Sequence, residues 1–167
     1  MHKRTVVTLF CEDVRDEKAG TVSLIGVMSD NINVNTLGAE DRDGDGQVTL
    51  KPGSRTLPRL CVYTRVNFDP NDDLKSISMK ITLPGGEDSF DSAVEPEIIE
   101  QSKSQAKEKR NLLAGLISRI ELGGTPLAKS GVLLVEVAID GDTYLAGAMN
   151  VNLIGETAQA PTSPTET

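Results

Sequence analysis

Asp41, Asp43 and Asp45 occupy alternate positions in the stretch AEDRDGDGQVTL, with Gly46 next and Val48 two residues further on. Carboxylates at that spacing suit a calcium ion, which gathers about six to eight oxygen ligands. An EF-hand loop supplies them from its first, third and fifth positions and turns sharply at a glycine in the sixth. With Asp41 first, Asp43, Asp45 and Gly46 fall where they should, Gln47 offers its carbonyl and Val48 is the apolar residue that follows. The position of the closing bidentate glutamate is taken by Pro52, and the flanks NVNTLG and TLKPGS read as strand or loop, not helices. The EF-hand is therefore excluded, but a β-sandwich site with carboxylates gathered from loops at one end is not. If Gln47–Lys51 and Leu60–Phe68 are successive strands that each cross the sandwich once, the loop after Phe68 falls at the same end as Asp41, Asp43 and Asp45. The stretch Glu87–Asp91 then falls at the opposite end. The candidate metal ligands are Asp41, Asp43, Asp45, Asp69 and Asp72, holding Ca2+ weakly for want of a bidentate ligand. The simpler use of the same residues is turn formation, because Asp, Asn and Gly tolerate left-handed backbone and hydrogen-bond their own chain.

Other chemistry is sparse. His2 is the one histidine, next to the first residue, so imidazole acid–base pairs and Ser–His or Cys–His nucleophiles cannot be built within the chain. Cys11 and Cys61 are far apart in sequence with no zinc-type spacing. Each sits in a strand-like run, TLFCEDV and RLCVYT, which points to buried structural thiols. PGG and LGG lack the Lys-Ser/Thr and strand-to-helix context of a phosphate loop. No assembled acid, base or nucleophile emerges, and the chain reads as a non-enzyme.

The elements that would position these residues are mainly strands. The 167 residues suffice for one domain and one core. Aromatics are 3% and tryptophan is absent, so that core has to be aliphatic. The formal net charge of −8 argues against nucleic acid and anionic membrane as partners. The apolar run Thr5 to Cys11 meets Glu12 and Asp13 too soon for a secretion signal, and no segment approaches a membrane span. A cytoplasmic protein is expected, in the host cytoplasm if the gene is phage-borne.

Period-two alternation recurs. Leu60, Val62, Thr64, Val66 and Phe68 share one face. Ile77, Met79, Ile81 and Leu83 form a second, Leu133, Val135, Val137 and Ile139 a third, and Leu145, Gly147, Met149, Val151 and Leu153 a fourth. The last two runs flank Asp140-Gly141-Asp142, a hairpin signal. Less regular strands are expected at Thr5–Glu12, Thr21–Ser29, Ile32–Asn35, Gln47–Lys51 and Leu112–Leu122. EPEIIEQSKSQAKEKR breaks the rhythm: Pro96 suits a first turn, Glu97 and Glu100 the N-terminal end, Lys107, Lys109 and Arg110 the C-terminal end. Its apolar stripe (Ile98, Ile99, Ala106) is thin. The fold expected is an antiparallel β-sandwich with one surface α-helix at about residues 96–110. Residues 1–154 make the domain, and 155–167 a disordered Pro/Ser/Thr-rich tail.

The pattern TLFCEDVRDEKAGTVSLIGVMSDNINV…LPRLCVYTRV resembles the first half of an uncharacterised family of small bacterial and phage proteins. The resemblance rests on Cys11 and Glu12, then Gly20, Ser23, Leu24, Ile25, Gly26 and Val27, then Leu57, Pro58, Leu60 and Cys61. It implies a compact β-sandwich with one helix and no catalytic residues, with the aspartate-rich stretch as an insertion. The function expected is a non-enzymatic binding or interaction module whose edge strands and end loops contact a protein partner or another copy of the chain. The alternatives are the calcium-binding sandwich and a phage accessory protein that sequesters a host protein or a nucleotide signal. A small anionic ligand would need Arg59, Arg65, Lys80 or Arg119, all expected on outward strand faces.

Overall fold

The computed structural model describes residues 4–18, 21–35, 37–42, 48–52, 55–86 and 88–154. In chain order the elements are β1 (Thr5–Cys11), β2 (Asp13–Asp16), β3 (Val22–Ile25), β4 (Asn31–Asn35), β5 (Leu37–Arg42), β6 (Val48–Pro52) and β7 (Cys61–Phe68). There follow β8 (Ile77–Thr82), β9 (Ser89–Ala93), α1 (Pro96–Glu108), β10 (Ala114–Glu121), β11 (Gly131–Ile139) and β12 (Asp142–Ile154). The expected tail, 155–167, lies outside the described residues.

Alternation along CVYTRVNF makes β7 the middle of a three-stranded antiparallel sheet, β1-β7-β10. Val62, Thr64, Val66 and Phe68 are buried on its inner face, while Arg65 on the other face is exposed. A five-stranded sheet, β4-β12-β11-β8-β9, lies opposite. It is antiparallel except where β4 runs parallel to the end of β12. Ile77, Met79, Ile81, Leu133, Val135, Val137, Ile139, Met149 and Val151 bury its inner face in one cluster with Phe10, Val62, Val66 and Phe68. Each such side chain contributes roughly 1.5–3 kcal/mol by leaving water. The architecture is a mainly β sandwich with, among the described residues, a single helix. Two ribbons, β2-β3 and β5-β6, pair outside these sheets.

The hairpin predicted at Asp140-Gly141 joins β11 to β12, with both residues at positive φ (52° and 92°), as a two-residue turn matching strand twist requires. One expected face needs correction. The β11–β12 register shifts between Val135 and Glu136, so Leu145 pairs with Glu136 on the outer face and is 68% exposed, while Met149, Val151 and Leu153 stay inside. The bulge moves one residue across the sheet and flips everything beyond it.

Helix α1 carries the chain from the edge of the large sheet to the small one. Pro96 opens it, Glu97 lies in its first turn and Lys107 in its last. Its inner stripe is Ile99, Lys103 and Ala106, whereas Ile98 is 44% exposed. Lys103 is buried because its ammonium donates to the Leu74 carbonyl (2.8 Å) and to Glu100 Oε1 (2.6 Å).

Candidate functional site

Five strands face three, and the overhang is treated differently on its two sides. At the β4 side the inward Val34 is buried, so that margin is covered. At the β9 side every residue of SFDSA is exposed. Phe90 and Ser92 pair with Ile81 and Met79, which places them on the inner face, yet Phe90 remains 40% exposed. Among the described residues no strand of the small sheet covers β9.

Between β9 and β10 the sandwich therefore opens into a cleft of about 280 Å³. Its walls are Val66, Leu116 and Ser118 from the small sheet, Ile77, Met79, Val137 and Ser92 from the large one, and Val94, Glu95 and Ile98 where the chain enters α1. Thr64 supplies a polar point in the floor, and its hydroxyl is 3.0 Å from that of Thr8 on the neighbouring strand. Ser118 continues that row, being in register with Thr64.

The margin of the cleft is the outer edge of β10. Leu122 N donates to Leu60 O (2.8 Å), and Gly115 O accepts from Ser102 Oγ of α1 (3.1 Å). Antiparallel ladders alternate, so these two bonds fix the parity. Leu116, Ser118 and Ile120 bond β7, and Gly115, Ile117, Arg119 and Glu121 turn their amides and carbonyls toward the open side. The helix occupies the Gly115 end of this edge.

Of the candidate metal ligands, the described ones, Asp41, Asp69 and Asp72, fall elsewhere. Asp41 lies within β5, opposite Thr49 of β6, and Asp43 and Asp45 lie outside the described residues. The count that put these aspartates beside Asp69 and Asp72 assumed that the strand after them crosses the sandwich. β6 instead pairs with β5 in a ribbon of its own. Asp69 caps its own turn, its Oδ1 accepting from Asn71 N (2.8 Å). Asp72 is buried and accepts from Arg4 Nε (2.8 Å). Among the described residues no group of three His, Cys, Asp or Glu side chains is placed to hold a metal ion. Arg4 also reaches Asp140 Oδ2 (3.0 Å), whose Oδ1 accepts from the amides of Lys75 and Ser76. Burial pushes the Asp140 carboxyl up, but those two amides and the Arg4 guanidinium outweigh it and hold it below the ordinary range.

The four cationic residues are not brought together. Arg65 and Arg119 share the outer face of the small sheet, where Arg65 bonds Asn67 (2.9 Å) and Arg119 grips both oxygens of Asp16. Arg59 pairs with Asp13 (3.2 Å), and Lys80 stands between Asp91 and Glu136 on the other sheet. The guanidinium groups of Arg119 and Arg15 hold the Asp16 and Asp13 carboxyls, respectively, below their ordinary values.

Cys11 and Cys61 stand directly opposite each other, buried and unbridged, with Cys11 Sγ 3.7 Å from the Cys61 carbonyl. Burial pushes both thiols up, Cys61 to about 11.

The cleft residues Ser92 and Glu95, the neighbouring Phe90 and the β10 edge escaped the sequence reading as a site. One signal was present: the inward series Leu116, Ser118, Ile120 has a serine at its centre, as an incompletely covered strand face allows. Among the described residues no helix is long and apolar enough to cross a membrane. No family model, curated protein or solved structure matches the chain.

Proposed function

We propose that the chain is a non-enzymatic interaction module that accepts an extended segment of a partner protein as a fourth strand beside β10. The observation that carries this is the exposed β9 next to a β10 edge that, among the described residues, has no further strand paired to it. A strand added there satisfies backbone groups along one side and drops alternate side chains onto Phe90, Ser92 and the cleft, the general logic of strand addition. The cleft, about 280 Å³, has room for one or two side chains of such a strand. The resemblance to small bacterial and phage proteins and a cytoplasmic, reducing setting belong to the same proposal; the two unbridged cysteines support the latter.

The test is selection of a random peptide library on the intact chain, with affinities measured by fluorescence polarisation. Ile117→Pro removes an amide donor that faces the open side, and proline is tolerated on such an edge. The selected peptides should lose about tenfold or more in affinity for this variant, ~1.4 kcal/mol, while its melting temperature stays near that of the parent. Binding indifferent to Ile117→Pro and to Phe90→Ser would refute strand addition at this edge.

A further inference from the structure

Which strand fits is also written in the cleft, and this step rests on the docking proposal above. Among the described residues lining the cleft, Glu95 alone is charged, set among Ile77, Met79, Val94, Ile98 and Leu116. Its carboxylate stands at the entry to α1 and makes no side-chain capping bond there. We infer that the partner segment carries apolar residues at alternate positions, with a lysine or arginine whose stem lies along the apolar wall and whose cation meets Glu95. Long basic side chains can do both, packing their methylenes while the head stays polar. Glu95 is exposed, so its attraction for a cation is that of a surface pair, modest and screened by salt.

A second copy of the chain is the rival occupant, and two observations disfavour it. Ser102 on Gly115 O closes the first outward position, which leaves Ile117, Arg119 and Glu121 for pairing. A two-fold antiparallel pairing of β10 with itself that uses all three sets Arg119, already held by Asp16, opposite its own copy, so the seam gains no opposite-charge pair. Each copy also brings a formal net charge of −8, which opposes association of like chains and favours a basic segment.

The deciding experiment takes a peptide from the selection that contains one basic residue and compares it with the same peptide carrying glutamine there. It is measured against the parent chain and against Glu95→Gln at low and high salt. The basic peptide should bind the parent about two- to fivefold more tightly, the preference should shrink with salt, and Glu95→Gln should erase it while leaving the glutamine peptide unchanged. Equal binding of the two peptides, both still weakened by Ile117→Pro, overturns the charge selection and leaves strand docking standing. A selection that enriches nothing overturns both. Sedimentation supplies the remaining arm: a dimer that dissolves on Ile117→Pro would make the occupant a second copy and overturn the assignment to a partner.

Discussion

Arg4 shows how much one side chain can tie together. It links the N-terminal strand to the buried Asp72 in the β7–β8 connection and to Asp140 in the β11–β12 turn. Arg4→Ala takes the cation from a buried carboxylate and should cost about 1–3 kcal/mol, read from urea denaturation. The Asp140 carboxyl is held low, so its contribution is fully present above the unfolded value of about 3.9 and is lost as pH falls through the folded one. Asp140→Asn should therefore flatten the acid limb of stability against pH. The cysteines carry the opposite sign. A thiol raised in the fold stabilises below its unfolded value, and that contribution is lost as pH climbs toward about 11 for Cys61. Near neutral pH both thiols should resist alkylation until the chain is unfolded; rapid labelling of the native protein would contradict their burial. The aspartates of the DRDGDG stretch were the most conspicuous residues in the sequence. Their types fit both a turn and a ligand set, and spacing alone does not say which carboxylates meet.

At the scale of elements, legibility followed burial. The runs LCVYTRVNF, SISMKITL and VLLVEVAI alternate cleanly because one face of each is fully buried, and each forms its predicted strand. The Asp140-Gly141 turn was equally plain, because a two-residue hairpin needs residues that accept positive φ. Strand β9 was invisible for the converse reason: with both faces exposed, SFDSA has no hydrophobic period to read, and its residues looked like loop. The bulge beside Val135 was also hidden, since a register shift is decided by pairing geometry. For α1 the stripe was half right. Ile99 and Ala106 are buried, but the third inner position is Lys103, and Ile98 stands 44% exposed at the cleft. Ile99→Ala should thus cost about 2–5 kcal/mol and Ile98→Ala no more than about 0.5 kcal/mol, a contrast that thermal denaturation resolves directly.

Taken whole, the molecule is a sandwich with unequal sheets, and its function is argued from that inequality. Sequence alone leads to a binding module with free edges, but not to which edge, because the cleft is made by residues far apart in the chain: Thr64, Ser92, Glu95 and Ser118. The most direct test of strand docking is residue-resolved amide hydrogen exchange on the intact chain, with and without a selected peptide. The outward amides of Ile117, Arg119 and Glu121 should exchange markedly more slowly with peptide bound. Those of Leu116, Ser118 and Ile120, already bonded to β7, should change little. Protection confined to another edge, or none along β10 at saturating peptide, would contradict the account.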